Sequence, residues 1–297
     1  MDRFARLAAA QVLLALLFAM AGGWARAAEL LVAPAAGGEG TLPVEGFMEL
    51  RGSLVVADDG TVSAHSLHRA GQVPADVRAF LDRQVAGWRV EFEDGFTPSA
   101  DAVPYTVRVR ASPSGDGLHV LWLDGVQLHE TLPPAQRLRA PSRRRPEYPR
   151  TMGRMGASGK VYMLLLVDAE GRVEDVFAEQ VDLTTLPADH GDAVRQQLDF
   201  IASAAAAVRH WRFRVPREGP YAVGQQAVRV PIVFAMRGQP MPGYGEWEFL
   251  VRGVRKSPPW LPDDRLAGDA MASADVQPFR TRMRVLTGTD GGDPGGQ

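Results

Sequence analysis

The sequence contains no cysteine, which excludes a disulfide framework, a cysteine-ligated metal or iron–sulfur site and a thiol nucleophile. An excess of one charge is also lacking, because 33 basic and 35 acidic residues leave a formal net charge of −2. A balanced chain of this kind has no general attraction for nucleic acid. The remaining composition, 45% hydrophobic and 23% charged over 297 residues, is typical of a globular protein with room for two domains.

Catalytic and metal-binding motifs are missing as well. His65 and His68 are three residues apart, but no pattern such as H-E-x-x-H completes a metal site around them. The glycine-rich stretch over residues 153–160 lacks the spacing of a phosphate loop and precedes a predicted strand instead of a helix. No G-x-S-x-G motif is present. We therefore expect a protein that is not an enzyme and uses neither a metal nor a cofactor.

Residues 1–27 have the pattern of a signal peptide. Two arginines precede an apolar run over residues 7–23, and Ala25-Arg26-Ala27 follows it as a cleavage site would. The run is at the short limit for crossing a hydrocarbon layer of ~30 Å, so an uncleaved inner-membrane anchor facing the periplasm is the alternative. We expect a periplasmic protein whose residues 28–45 form a flexible segment.

The second half of the chain predicts two strands, a helix and a third strand. Residues 161–167 are all apolar, and a turn that ends at Gly171 joins them to a second strand. Apolar side chains recur at steps of three and four over residues 194–208, which predicts an amphipathic helix. Residues 228–234 alternate as a third strand, and Pro231 places that strand at a sheet edge or a bulge.

The first half repeats this order at a nearly constant offset. A shift of 123 residues aligns Trp88 with Trp211, and the turn at Gly60 corresponds to the turn at Gly171 once an insertion of 12 residues is allowed. The shift also aligns Val85 with Val208, Arg89 with Arg212, Tyr105 with Val228, Val107 with Val230 and Val109 with Ile232. We therefore predict an internal duplication of a ββαβ unit. The alternative is that the first half is a different α+β unit.

The duplication sets the domain boundaries. We place a degenerate module at residues 46–112, a connector at 113–145, a complete module at 146–236 and a C-terminal extension at 237–297 that is disordered at its end. The connector is rich in proline and contains Arg137, Arg139, Arg143, Arg144 and Arg145. We expect a stiff, solvated linker, and a weak contact of its arginines with an anionic envelope surface is the alternative.

A series of short motifs runs through the second half. Its members are Tyr148, Pro149, Gly159, Val161, Asp168, Gly171, Trp211, Arg212, Phe213 and Pro216. The strand Val228, Arg229, Val230, Pro231, Ile232, Val233 and Phe234 closes the series. In order and spacing these motifs resemble the TonB C-terminal domain family over about residues 146–236. The first half resembles a degenerate copy that lacks the Tyr-Pro opening.

The resemblance implies a fold, a location and a partner. It implies an α+β protein of two ββαβ modules, each a three-stranded antiparallel sheet packed on a helix, in the periplasm. Proteins of the family bind outer-membrane transporters, and their last strand, here residues 228–234, can pair with an extended peptide of the transporter. The leader lacks the Ser and His of the family's coupling helix, and no long proline-rich spacer follows it. We therefore expect a binding or adaptor role in TonB-dependent transmembrane transport without energy transduction.

The same strand can be interpreted from its residues alone. An edge strand offers unpaired backbone groups to which a peptide can add. Arg229 and Pro231 are also residue types with which proteins block such pairing, so a strand that closes the sheet against its own chain is the alternative.

Residues 161–167 require cover on two faces, because they are apolar on both sides and one helix covers only one. The second cover is supplied by residues 148–155, the C-terminal extension, the first module or a second chain. A homodimer is therefore possible, and a structural envelope protein that self-associates through the duplicated sheet is the alternative function.

Overall fold

The computed structural model describes residues 42–96, 102–113, 119–142, 144–261, 277–279 and 281–286. The predicted signal peptide and most of the predicted flexible segment lie outside these residues, as does the chain end from residue 287. Among the described residues, no helix has the length and apolar character needed to cross a membrane.

The described residues form three α-helices and thirteen β-strands. The helices are α1 (Ala75–Val85), α2 (Arg150–Met155) and α3 (His190–Val208). The strands are β1 (Val44–Val56), β2 (Val62–Leu67), β3 (Arg89–Phe92), β4 (Val103–Pro113), β5 (His119–Leu128), β6 (Arg139–Ser142), β7 (Gly159–Asp168), β8 (Val173–Leu183), β9 (Arg212–Arg214), β10 (Gln225–Phe234), β11 (Glu248–Val251), β12 (Gln277–Pro278) and β13 (Met283–Leu286). The mixed α+β architecture predicted from the sequence is confirmed.

Nine strands form one antiparallel sheet in the order β12, β10, β7, β8, β11, β1, β4, β5, with β2 also paired to β1. Strand β11 joins the two halves, because it pairs with β8 at Val251 and with β1 from Val44 to Phe47. The structure therefore has one continuous sheet where the sequence predicted a three-stranded sheet in each of two modules. The C-terminal extension pairs with one strand of each half, at one residue of β8 and four residues of β1, and so makes their sheets continuous.

The helix α3 covers one face of β7, β8 and β10. The side chain of Asp189 caps its first turn by accepting from the Asp192 amide at 2.7 Å. Phe200, which is fully buried, stacks on Phe234 with ring centroids 4.8 Å apart. Helix α1 packs on the first half in the same manner, through Val77, Leu81 and other buried side chains. The apolar stripe that predicts α3 thus forms part of the core, and α1 buries a corresponding stripe.

The two hairpin turns at Gly60 and Gly171 require glycine for the same reason. Their φ angles are 84° and 79°, and a β-carbon would lie 2.4 Å from the Val90 oxygen at Gly60 and 1.9 Å from the Phe213 oxygen at Gly171. The Val90 amide donates to Gly60 at 2.7 Å, and the Phe213 amide donates to Gly171 at 2.8 Å. In each half the chain leaving the helix therefore lies directly against the hairpin turn.

The connector and the extension contain more regular structure than the sequence predicts. The connector supplies β5 and β6, and β6 pairs with β9, so this part of the connector is not a free solvated linker. The extension supplies β11, β12 and β13. Extended, proline-rich backbone can add to an open strand when the tertiary structure presents one, and local sequence does not reveal where that strand is.

The extension also covers the second face of the sheet. Lys160 on β7 forms an ion pair with Glu248 on β11, and the Gly253 amide donates to the buried Asp182 carboxylate on β8 at 3.1 Å. The Lys256 amide donates to the Glu179 carbonyl at 2.9 Å. The sequence left four candidates for the cover of the second face of residues 161–167. The C-terminal extension is one of them, and it contacts this face.

Candidate functional site

The strand β10 is the predicted peptide-binding strand, and its edge toward β7 is fully paired. It pairs with β7 along its whole length, from Gln225 opposite Asp168 to Phe234 opposite Gly159. The buried apolar side chains of β10 that lie on the face of Phe234, toward α3, are Val228, Val230, Ile232 and Phe234. These four predicted site residues belong to the core and do not face a ligand.

The outer side of β10 is partly covered. Strand β12 pairs antiparallel with Val228 and Arg229, and the Phe279 amide donates to the Ala227 carbonyl at 2.9 Å. Because backbone groups alternate in direction along a strand, those of residues 227, 229, 231 and 233 point to this outer side. Among the described residues, Pro231 and Val233 have no strand partner there.

This geometry accounts for Pro231. A proline has no N–H, and at this position the missing donor would point away from β7, so no bond of the ladder is lost. Between β12 and the end of β10 at Phe234, the uncovered outer backbone offers the carbonyls of Pro231 and Val233 and one donor, the Val233 N–H. The Val233 side chain is 47% exposed.

Arg229 is held by contacts that the sequence does not suggest. Its Nε donates to the Glu179 carboxylate at 2.7 Å, and Arg255 donates to the same carboxylate at 2.6 Å. Glu179 is fully buried, so two arginines neutralise one buried charge. The Arg229 guanidinium also lies 4.7 Å from the Phe279 ring centroid. Arg229 therefore binds the tail of its own chain to the sheet.

The motif residues before the helix α3 are structural. The Tyr148 ring packs edge-on against Phe200 and Phe234, and its hydroxyl donates to the Ala157 carbonyl. Pro149 lies immediately before α2. Gly159 begins β7 where a β-carbon would approach the Asp182 oxygen to 2.9 Å, and Val161 is fully buried.

The motif residues after α3 are structural too. The Trp211 indole donates to the Arg144 carbonyl at 2.8 Å and so holds the end of the connector. Asp168 accepts from the amide and the guanidinium of Arg172, both at 2.7 Å, which closes the hairpin turn. Phe213 and Pro216 are buried, whereas Arg212 is exposed. The motif residues surround the helix and the hairpin and do not converge on a cavity.

A buried ion-pair network on the second face of the sheet was missed by the sequence reasoning. Arg108 on β4 lies 3.2 Å from Asp182 on β8 and 3.8 Å from Asp124, and its guanidinium is 4.0 Å from the Phe47 ring centroid. Arg108 and Asp182 are almost fully buried, so the network joins the two halves and is closed to solvent. The only sequence signal is the alternation of Arg108 and Arg110 with valines in β4.

A cleft of about 440 Å³ lies beside β4 and is lined partly by His129, Glu130 and Arg282. Burial would raise the pKa of Glu130, but hydrogen bonds from Arg282 and Tyr221 outweigh it and hold the pKa below its usual value. Burial lowers the pKa of His129 to about 4, so this side chain is neutral near pH 7. Glu130 is hydrogen-bonded to Arg282 and Tyr221, and His129 is hydrogen-bonded to Thr106 at 2.7 Å, which argues for a structural role.

Among the described residues, no group of three or more His, Asp or Glu side chains is arranged to hold a metal ion. Comparison with known proteins gave no matching family model and no matching curated protein.

Proposed function

We propose that the chain consists of two copies of one ββαβ unit, each related to the TonB C-terminal domain. The order β1, β2, α1, β4 in the first half matches the order β7, β8, α3, β10 in the second. The equivalent hydrogen bonds at Gly60 and Gly171 support this interpretation, because their donors, Val90 and Phe213, are 123 residues apart. The nine-stranded sheet then arises from two units linked by β11.

We further propose that the protein is a non-catalytic periplasmic adaptor that binds an extended peptide of an envelope partner by strand addition to β10. An outer-membrane transporter is the partner that the family resemblance suggests. The observation that carries the proposal is β12. Two residues of the chain's own tail already add to this edge as an antiparallel strand, so the edge has the twist and access that an added strand needs.

The geometry defines what such a peptide must offer. It must donate to the carbonyl of Pro231 and accept from the N–H of Val233, and its alternate side chains must pack near the exposed Val233 side chain. A peptide that pairs along the whole edge must also displace β12. Binding is therefore expected to be weak for a short peptide and stronger when the tail is loosened.

The test is a titration of the isotope-labelled full chain with short peptides from the periplasmic N-terminal segments of outer-membrane transporters. We expect amide shifts at residues 227–234. Val233→Pro removes the outer donor next to Pro231 and should weaken binding about two- to tenfold, since a hydrogen bond contributes roughly 0.5–1.5 kcal/mol. Val233→Ala keeps the N–H and is the matched control.

A second variant tests the role of the tail. Phe279→Ala removes the ring beside Arg229 and should strengthen peptide binding by making β12 easier to displace. Shifts that lie away from residues 227–234, or equal affinities for Val233→Pro and Val233→Ala, would contradict strand addition at β10.

Self-association through the sheet is a second candidate. Strand β5 ends the sheet on the opposite side, spans ten residues and has no strand beyond it among the described residues. Val120 at one end of β5 is 43% exposed. Two β5 strands from two chains could pair antiparallel. Analytical ultracentrifugation of the wild type and of Val120→Lys tests this, and a monomer at high concentration would eliminate it.

The proposed periplasmic location has its own test. Cell fractionation followed by intact-mass measurement should give a periplasmic chain that begins at Ala28. A membrane-bound chain with an intact N-terminus would favour the alternative of an inner-membrane anchor.

A further inference from the structure

Four arginines lie on adjacent strand segments at the hairpin turn of β7 and β8. Arg139 on β6 is directly opposite Arg214 on β9, and Arg172 beside the turn is opposite Arg212 on the other side of β9. Arg212 and Arg214 are two residues apart, so they share one face, and residue 213 between them points to the core. We call these four residues the arginine face.

The arginine face is exposed and only partly neutralised. Asp168 and Glu170 contact Arg172 at 2.7 and 3.0 Å. Arg139 and Arg214 are exposed, and among the described residues neither has an ion-pair partner. Side chains directly opposite on neighbouring strands have β-carbons only about 5 Å apart, where like charges repel. The fold therefore holds positive charges together at a cost that a bound anion would relieve.

We propose that the arginine face binds the anionic phosphate headgroups of a lipid bilayer. Guanidinium groups pair with phosphate oxygens through two parallel hydrogen bonds. Three strand segments side by side present these groups as a row, which suits a planar array of headgroups. The strand β6 makes this surface, because it places Arg139 from the connector beside the arginines of β9.

The chemistry of the same face disfavours nucleic acid. Proteins that bind single strands combine basic groups with exposed aromatic side chains for base stacking. Trp211 and Phe213, the aromatic residues next to the arginine face, are 5% exposed each and pack into the core. The net charge of the whole chain is −2, so attraction is confined to this patch.

The experiment is flotation of the full chain with vesicles of phosphatidylcholine alone and with vesicles that also contain phosphatidylglycerol. The readout is the ratio of binding to the two vesicle types, which removes any contribution from apolar insertion. The test variant is Arg139→Gln with Arg214→Gln. The matched control is Arg69→Gln with Arg83→Gln, which removes two exposed charges from the first half.

We expect the protein to prefer the anionic vesicles and to lose that preference at high salt. In the test variant the ratio of binding to the two vesicle types should fall about 25-fold, since each basic residue near an anionic surface raises binding roughly fivefold. The control variant should bind as the wild type does. Equal loss in both double variants would indicate a general charge effect and overturn the proposal. Abolition of binding by inorganic phosphate at matched ionic strength would indicate a free-phosphate site, and tighter binding of single-stranded RNA would indicate a nucleic-acid surface; either result overturns it.

Discussion

Replacing Gly171 by alanine tests whether the close contact between the hairpin turn and β9 stabilises the fold. The new β-carbon would lie 1.9 Å from the Phe213 oxygen, whereas real β-carbons do not approach other atoms to less than 3.0 Å. The backbone must therefore move by at least about 1 Å. Alanine at a φ of 79° adds strain of about 1–2 kcal/mol.

The expected loss of stability follows from these two effects. Moving β9 away weakens the hydrogen bond from the Phe213 amide to Gly171, which contributes about 1 kcal/mol. Together with the strain, Gly171→Ala should lower the free energy of unfolding by about 2–3 kcal/mol. Urea unfolding followed by circular dichroism measures this change.

Gly238 supplies the matched control. Its φ of 84° is nearly the same, but a β-carbon there would meet no atom within 4 Å. Gly238→Ala should therefore cost only the backbone strain, about 1–2 kcal/mol. If Gly171→Ala and Gly238→Ala lower stability equally, the close contact has no energetic role. Gly60→Ala, with its β-carbon 2.4 Å from the Val90 oxygen, should behave like Gly171→Ala if the two halves are copies of one unit.

Two further predictions concern buried ionisable groups. Burial lowers the pKa of His129 from 6.5 to about 4 in the folded protein. Between these pH values only the unfolded chain binds a proton at this residue. The stability that the neutral, buried ring contributes is therefore complete above pH 6.5 and is lost as the pH falls to about 4. The loss is at most about 3 kcal/mol, and His129→Gln should flatten the stability profile between these pH values; an unchanged slope would be evidence against burial of the neutral ring. Glu179→Gln leaves Arg229 and Arg255 without their shared countercharge and should destabilise the protein by about 3 kcal/mol, measured by urea unfolding. Because Arg229 also contacts the tail, the same variant should expose β12 to limited proteolysis, and an unaltered cleavage pattern would contradict that link.

Local chemistry made part of the fold predictable. The helix inferred from apolar steps over residues 194–208 is α3, which ends at Val208. The glycine turn at 171 and the alternating strand at 228–234 also occur where the sequence places them. Each of these features depends on neighbours within a few residues, so periodicity and turn residues are enough to identify it.

The candidate site was predictable only in part. Pro231 indicated an edge strand, and β10 has an open outer side at this residue among the described residues. The occupant of the rest of that edge, β12, was not predictable, nor was the buried carboxylate of Glu179. Glu179 is bound by arginines 50 and 76 residues away, and no local pattern encodes such a pairing.

By itself the sequence determined the strands and the long helix of residues 161–234, the glycine turns at residues 60 and 171, and the buried face of that helix. Tertiary structure alone decided that β11 joins two sheets into one, that β6 brings Arg139 opposite Arg214, and that the tail pairs with Val228 and Arg229 of β10. The physical reason is that strand pairing uses backbone groups that every residue carries. Which strands pair therefore depends on where the folded chain leaves an edge open, and the local sequence does not predict it.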